Sequence, residues 1–373
     1  MKIFHSLFVI LLVVAAFFLV QQSIKSARQD AIRQASERLK LSRDTRIAQL
    51  DSEIKTIYSE IRFWADSRPV QEGMEKILNS WEELGSNPKA RARQLYISEN
   101  PLFPNYAADF AKADDGSSYS DNHEILHELL KGLTLRRGYF DVFLIANNGD
   151  IVYSVYKEDD YATNLLNGKY KETTLAQGFR AVQDNTNLNH ISLFDFIPYA
   201  PSNNAPASFI QTSIIDEKNK TLGILAFQLP IEPIDAIIGN TSGTSGTTEI
   251  LSVGPDHLLR NRLNKETIKE KIRSDAINKA LSGESGVEQL EDYRGNKTIT
   301  AYAPFHFSHN LLGKTAKNTW AIITKQDVNE VLAPVEKETK KWLSLLGALT
   351  LISLLLAWLL TRKQEDLSTT ELK

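Results

Sequence analysis

Two apolar runs stand out along the chain. Residues 3–20 hold only His5 and Ser6 among aliphatic and aromatic side chains, and eighteen such residues in a helix can cross a hydrocarbon core of about 30 Å. Residues 343–360 form a second run, with Trp342 and Trp358 near its two ends, where amphipathic rings favour the headgroup zone. The first run also has the position of a cleaved signal peptide. No Ala-x-Ala site follows it, however, and Val20-Gln21-Gln22-Ser23 leads into a charged helical pattern, so it reads as an uncleaved anchor that continues into a stalk.

Beyond the anchor the pattern is helical over 21–68, with Ile47, Leu50, Ile54, Ile57, Ile61 and Trp64 three and four apart as in a heptad seam. Such a stripe requires a partner, either its own domain or the same helix of a second subunit. Pro69 closes it. A mixed helical region over 70–135 follows, interrupted by Gly85-Ser86-Asn87-Pro88 and by a loop at 114–120.

At Tyr139 the period changes to that of strands. Residues 139–146 and 151–156 flank Asn147-Asn148-Gly149-Asp150, whose Asn and Gly accept the positive φ of a tight turn. A short helix at 173–182 precedes three strands at 191–197, 207–215 and 221–229. The Gly, Ser and Thr of 240–248 mark a boundary. The order then recurs: a strand at 248–253, the turn Gly254-Pro255-Asp256, a helix at 264–281 stopped by Gly283, and strands at 287–293, 297–305 and 319–325. Asp327 and Glu330 are spaced as a capping box opening the last helix, which enters the membrane at Trp342. The predicted fold is α+β, with a long N-terminal helix and two similar sheet-and-helix units between the spans.

Composition changes this picture little. With 43 Lys and Arg against 46 Asp and Glu the chain is slightly acidic, so no basic surplus exists for a nucleic-acid role. The absence of cysteine suits a periplasmic domain without disulfides and equally the cytoplasm. Lys2 and the Arg362-Lys363 pair favour termini inside the cell, but Lys25, Arg28, Lys340 and Lys341 flank the opposite faces of the spans.

Several runs carry a resemblance to a known family: Gly138-Tyr139-Phe140-Asp141-Val142-Phe143-Leu144-Ile145, Gly149-Asp150-Ile151-Val152-Tyr153-Ser154-Val155, Lys157-Glu158 and Ala162-Thr163-Asn164-Leu165. Residues 198–209, the run Leu222-Gly223-Ile224-Leu225-Ala226-Phe227-Gln228, Asp292-Tyr293-Arg294-Gly295 and Ala301-Tyr302-Ala303-Pro304 add to it. Together they resemble the double Cache (dCache, PAS-like) sensor region of bacterial transmembrane receptors such as methyl-accepting chemotaxis proteins and receptor cyclases and kinases. The resemblance implies two tandem Cache modules, a membrane-distal one at 69–239 that holds the ligand and a membrane-proximal one at 240–326. It also implies a homodimer built on the stalk, a helix at 327–342 leading to the second span, a signalling partner and no enzymatic activity of the sensor region itself. Family members continue into a HAMP helix pair and an output domain, whereas only the short cytoplasmic tail 361–373 follows here, so the chain is a fragment of a longer receptor or a sensor acting through another protein.

In a PAS-like sheet the ligand lies between one face and the loops above it. On that reasoning Asp195, sharing a face with Leu193, Ile197 and Tyr199, needs a positive partner, either a ligand ammonium or an internal arginine or amide. Tyr153 and Lys157 share a face likewise, and Lys157 suits a ligand carboxylate or simple solvation. Tyr199, Phe209 and Gln211 are candidate walls, Thr163 and Asn164 complete the candidate ligand-binding set, and Asp141 is taken as structural. The expected ligand is an amino acid, amine or organic acid, with no cofactor.

The rival motif is His123-Glu124-Ile125-Leu126-His127, which matches H-E-x-x-H and would set two imidazoles on one helical face for zinc. The metzincin continuation fails at Leu130 and Leu133, and no Glu lies between Glu128 and Glu158. No phosphate loop, nucleophile elbow or dinucleotide fingerprint occurs. The expectation is a two-pass protein of the bacterial inner membrane whose central region is periplasmic. A membrane-tethered interaction protein without a solute is the alternative, and a zinc hydrolase the more remote one.

Overall fold

The computed structural model describes residues 2–239, 246–261, 271–306 and 319–370. The first helix, α1 (Lys2–Asp66), is continuous from the first apolar run to the end of the stalk. Its predicted stripe is used within the chain: Leu50, Ile54, Ile57 and Ile61 are buried in the largest core cluster, with Ile47 and Trp64 packed at its margin. After Ser67 the helix restarts as α2 (Arg68–Glu83), with Pro69 in its first turn where a missing N–H costs nothing. A short α3 (Pro88–Arg93), a π-helical turn (Gln94–Ser98) and α4 (Ser118–Arg137) complete the helical layer.

The first sheet begins with β1 (Asp141–Ala146) and β2 (Ile151–Ser154), joined at Gly149, whose φ of 88° is the positive value the turn demanded. After α5 (Thr174–Gln183) come β3 (Ile191–Leu193), β4 (Ile197–Tyr199), β5 (Ala205–Ile215) and β6 (Thr221–Leu229). The strand expected over 191–197 is thus split at Phe194-Asp195-Phe196. The order is β2-β1-β6-β5-β3, all antiparallel, with β4 also paired to β5. One face carries Val142, Leu144, Ile210, Leu225 and Phe227 against α1, α2 and α4; the other carries Phe143, Ile145, Phe209, Ile224 and Ala226 beneath α5.

A short α6 (Glu232–Ile238) leads to the second sheet: β7 (Glu249–Val253), α7 (Asp275–Leu281), β8 (Gly286–Glu291), β9 (Lys297–His306) and β10 (Thr319–Asp327), in the order β7-β10-β9-β8. In both sheets the first strand neighbours the last, and a meander runs outward from there, which is the repeated order expected from the pattern. Two details differ. The hairpin partner of β7 is reduced to a bridge between Val253 and Leu259, and the predicted helix over 264–281 is helical from Asp275, its 264–270 part lying outside the described residues.

The final helix α8 (Val328–Thr370) follows β10 with no intervening residue. The expected capping box is replaced by a tie to the linker, since the Glu330 carboxylate accepts from the Thr247 N–H, and the Asp327 N–H is donated to Thr247 Oγ1. Within the described residues two helices are long and apolar enough to cross a membrane, and neither apolar window is buried. The second sheet packs on Ala35 and Leu39 of α1, while the first packs on Leu50 to Ala65. At 1.5 Å per residue this places the sheets about 30 and about 55 Å beyond the first apolar run, so they are proximal and distal to it.

Candidate functional site

The distal sheet carries its unusual chemistry at one end of the face beneath α5. Asp141 opens β1 and pairs with Gln228 of β6, which in turn pairs with Phe209 of β5. All three side chains are buried, so a carboxylate and an amide sit at the rim of the cluster formed by Phe143, Phe209 and Tyr199. The Tyr199 ring meets Phe209 edge-on at 4.8 Å, and its hydroxyl donates to Asp160. Asp160 and Glu158 arrive from the loop after β2. Glu158 accepts from the Ser202 hydroxyl, whose oxygen in turn accepts from Gln228 Nε2 at 3.1 Å. Six segments of chain therefore converge on three carboxylates.

Asp141 is the best satisfied of these, accepting from Ser154 Oγ at 2.7 Å and from the amides of Val142, Val155 and Tyr156. Asp160 Oδ1 and Gln228 Oε1 are buried with no hydrogen-bond partner. Among the described residues no lysine or arginine forms an ion pair with Asp141, Glu158 or Asp160. Burial raises all three carboxyls, Asp141 to about 8 and Asp160 to about 7, with mutual repulsion adding to the effect. Near neutral pH Asp141 and Asp160 hold protons that their ordinary values would have released.

The eight candidate residues fall into separate groups. Tyr199, Phe209 and Gln211 share the face beneath α5, where Gln211 Nε2 donates to Leu175 O at 3.0 Å. Thr163 and Asn164 are used as loop staples: Thr163 Oγ1 donates to Asp160 O, and Asn164 bonds Asn148 O, Asp150 and the amides of Leu166 and Asn167.

Tyr153 and Lys157 lie instead on the helical side. Tyr153 packs in the cluster against α4, bonded to His127 at 2.9 Å, because the bulge between Leu144 and Ile145 sets it opposite Leu144. Lys157 has a φ of 53° and is fully buried, its ammonium donating to Val155 O and lying 5.8 Å from the Tyr96 ring. Burial lowers its pKa to about 7.

Asp195 has an internal partner, the second of the two options left open by its pattern. Arg260 of the proximal unit grips it through Nε and Nη2 at 2.7 to 3.1 Å, and the Trp320 indole N–H of β10 donates to Oδ1 at 2.8 Å. The split of the 191–197 strand is what turns Asp195 out of the sheet face toward this latch.

The H-E-x-x-H histidines are both buried on α4, and three of their four ring nitrogens bond within the fold, while His123 Nε2 is buried without a partner. His123 Nδ1 meets Ala111 O at 2.6 Å, and His127 bridges Ala108 O and the Tyr153 hydroxyl. Burial lowers both, His127 to about 3, so they are neutral. Glu124 turns outward to Lys112. Among the described residues no group of three His, Cys, Asp or Glu is placed to hold a metal ion.

Asp141, expected to be structural, and Glu158, Asp160, Ser202 and Gln228, none of them among the candidates from the sequence, make up this polar end. A carboxylate heading an otherwise apolar strand was the available signal for Asp141. Nothing local distinguished Asp160 within the charged run 157–160.

No family model and no curated protein matches the chain. Solved structures do resemble it. The ligand-binding domain of a Campylobacter jejuni chemoreceptor in complex with 4-methylisoleucine is 12% identical, with 82% of this chain and 93% of that one covered and a TM-score of 0.45. That of the Pseudomonas fluorescens chemoreceptor CtaA with L-serine is 13% identical over 80% and 98%, TM-score 0.40. That of the Pseudomonas aeruginosa amino acid chemoreceptor PctB with L-arginine is 15% identical over 75% and 97%, TM-score 0.36.

Proposed function

We propose that this chain is the extracytoplasmic sensing region of a two-pass transmembrane signalling receptor, and that it holds a small solute in the distal unit. The observation that supports this best is the buried, incompletely bonded polar end of the distal sheet, framed by Tyr199 and Phe209. Buried polar groups are nearly always satisfied, so orphaned acceptors beneath these loops mark a place where something else binds. The solute would close the loops 159–170 and 198–206 on the sheet, and the amino-acid, amine and organic-acid classes are the ones to screen.

The output runs through the proximal unit, because the Asp195–Arg260–Trp320 latch joins the loop after β3 to β10, and β10 passes without a joint into α8. We assign the homodimer to α1, whose Leu41 and Phe63 are 68% and 67% exposed on the side away from the sheets. The central region faces away from the cytosol in this reading.

Thermal unfolding of the full chain in nanodiscs, screened against those solute classes, tests it. A ligand present at a hundred times its Kd stabilises by about 2.7 kcal/mol, a shift of several degrees. If no solute of any class raises the melting temperature, solute sensing by the distal unit is wrong.

A further inference from the structure

We infer that the distal site is built for an organic cation without a carboxylate, a diamine or polyamine, whose ammonium groups sit against Asp141, Glu158 and Asp160. This rests on the reading of the distal unit as the solute site and adds the class of solute.

The first ground is charge. Three carboxylates are brought to one end of the face by β1 and the loop after β2, and no cation among the described residues pairs with them. Lys157, the basic residue next to them in the chain, turns to the other side of the sheet and spends its ammonium on Val155 O. Arg180 of α5 donates to the carbonyls of Leu165 and Lys171 instead. A ligand carboxylate therefore has no counter-ion at this end of the face, whereas an ammonium has up to three.

The second ground is hydrogen bonding. Asp160 Oδ1 and Gln228 Oε1 are acceptors buried without a donor, and an ammonium brings three donors. Gln228 is an uncharged amide on β6, paired with Asp141 across the strands and bonded through Nε2 to Ser202, which itself donates to Glu158. Its orphaned oxygen faces the same shortage of donors as Asp160.

The third ground is spacing. The carboxylates do not form a group able to hold one metal ion. Asp141 is anchored by three backbone amides, Asp160 by Tyr199 and Glu158 by Ser202, so each is fixed at its own place. Separate anionic points suit an elongated molecule with charges at intervals better than a point charge. The Tyr199 and Phe209 rings supply an apolar wall for the methylene chain between them.

Proton exchange follows from the same arrangement. Asp141 faces Ser154 and, through space, Glu158 and Asp160; Asp160 faces Tyr199, Glu158 and Asp159; the ammonium of Lys157 feels Asp141 from the helical side. Burial keeps Asp141 and Asp160 protonated up to about 8 and about 7. Binding a cation there must expel protons, so affinity rises with pH across that window.

The test uses the full chain in nanodiscs with 1,4-diaminobutane, butylamine, L-alanine and calcium chloride as probes, by calorimetry in two buffers of different ionisation enthalpy. The expected result is saturable binding of the diamine, weaker binding of butylamine, proton release, and about tenfold tighter binding at pH 7.5 than at pH 5.5. Asp160→Asn and, separately, Glu158→Gln should each weaken the diamine by about ten- to a hundredfold, the loss expected of one charge-assisted contact. Each substitution keeps the shape of a protonated acid, so melting of the free variants no lower than that of the wild type shows that the fold is intact. Binding of L-alanine but not of the diamine overturns the cation assignment and leaves the solute reading standing. Calcium binding in place of the diamine overturns it likewise, and binding of no probe or screened solute defeats both.

Discussion

Replacing Arg260 by Ala removes one half of the latch between the two units and leaves the other half stranded. Asp195 is 10% exposed and Arg260 3%, so neither charge is relieved by water when its partner goes. Breaking such a buried pair from one side costs about 3–5 kcal/mol. Asp195 retains the Trp320 indole N–H and the Phe196 amide, which places the expected cost at the lower end of that range.

The pH dependence identifies the cause. Burial already raises Asp195, with Arg260 acting to lower it, so without Arg260 it rises further. A carboxyl whose folded pKa exceeds its unfolded value keeps its proton longer in the native state, and stability then falls as pH climbs from the unfolded value through the folded one. The Arg260→Ala variant should be only slightly weakened at pH 4 and fully weakened at pH 8. At about 2–4 °C per kcal/mol the loss at pH 8 is on the order of ten degrees. Tryptophan-detected melting of the full chain in nanodiscs reads both, since the Trp320 indole reports the same contact. A cost that is equal at the two pH values, or below about 1 kcal/mol at pH 8, would refute the claim that a stranded carboxylate is what destabilises the protein.

Asp160→Asn should leave stability at pH 4 unchanged and raise it at pH 8, because the wild-type acid, held up to about 7, must give up its proton in a buried place; equal melting curves at pH 8 would contradict this. Lys157→Met should stabilise below pH 7, where the wild-type ammonium is buried and charged, and lose that advantage as pH rises from about 7 toward the unfolded value of about 10.4, which denaturant titrations at pH 6 and pH 10 compare. Gly178→Ala should cost about 1–3 kcal/mol by urea unfolding, since the added methyl would lie 1.9 Å from Gln211 Nε2, itself held by Leu175 O. Treatment with a strong chelator should shift the melting temperature by less than about 1 °C, because the His123 and His127 rings are bonded to carbonyls; a large drop would reopen the metal question.

Local pattern carried far along this chain wherever one period dominates. The α1 stripe, the hairpin at Gly149 and the alternation in β5 and β6 depend on neighbours within a few residues, so their burial and pairing were legible in advance. The recurrence of helix and meander was legible for the same reason. Failures came where a single residue answers to a distant one. Ile191 to Ile197 has the composition of one strand, yet Asp195 is drawn out of it by Arg260 and Trp320, which lie 65 and 125 positions away. Glu330 is spaced to cap its own helix but bonds Thr247.

The candidate site divides in the same way. Tyr199, Phe209 and Gln211 share a face because strand alternation is a local rule, and Tyr153 left that face because one bulge shifted the register between Leu144 and Ile145. Period and length by themselves determined the two membrane-length helices and the paired sheet units. Only the tertiary structure decided what surrounds the acids: a carboxyl's energy depends on its neighbours in space, and Asp141, Glu158 and Asp160, though all within residues 141–160, meet Tyr199, Ser202 and Gln228 from strands and turns about forty to ninety positions away only once the sheet has formed.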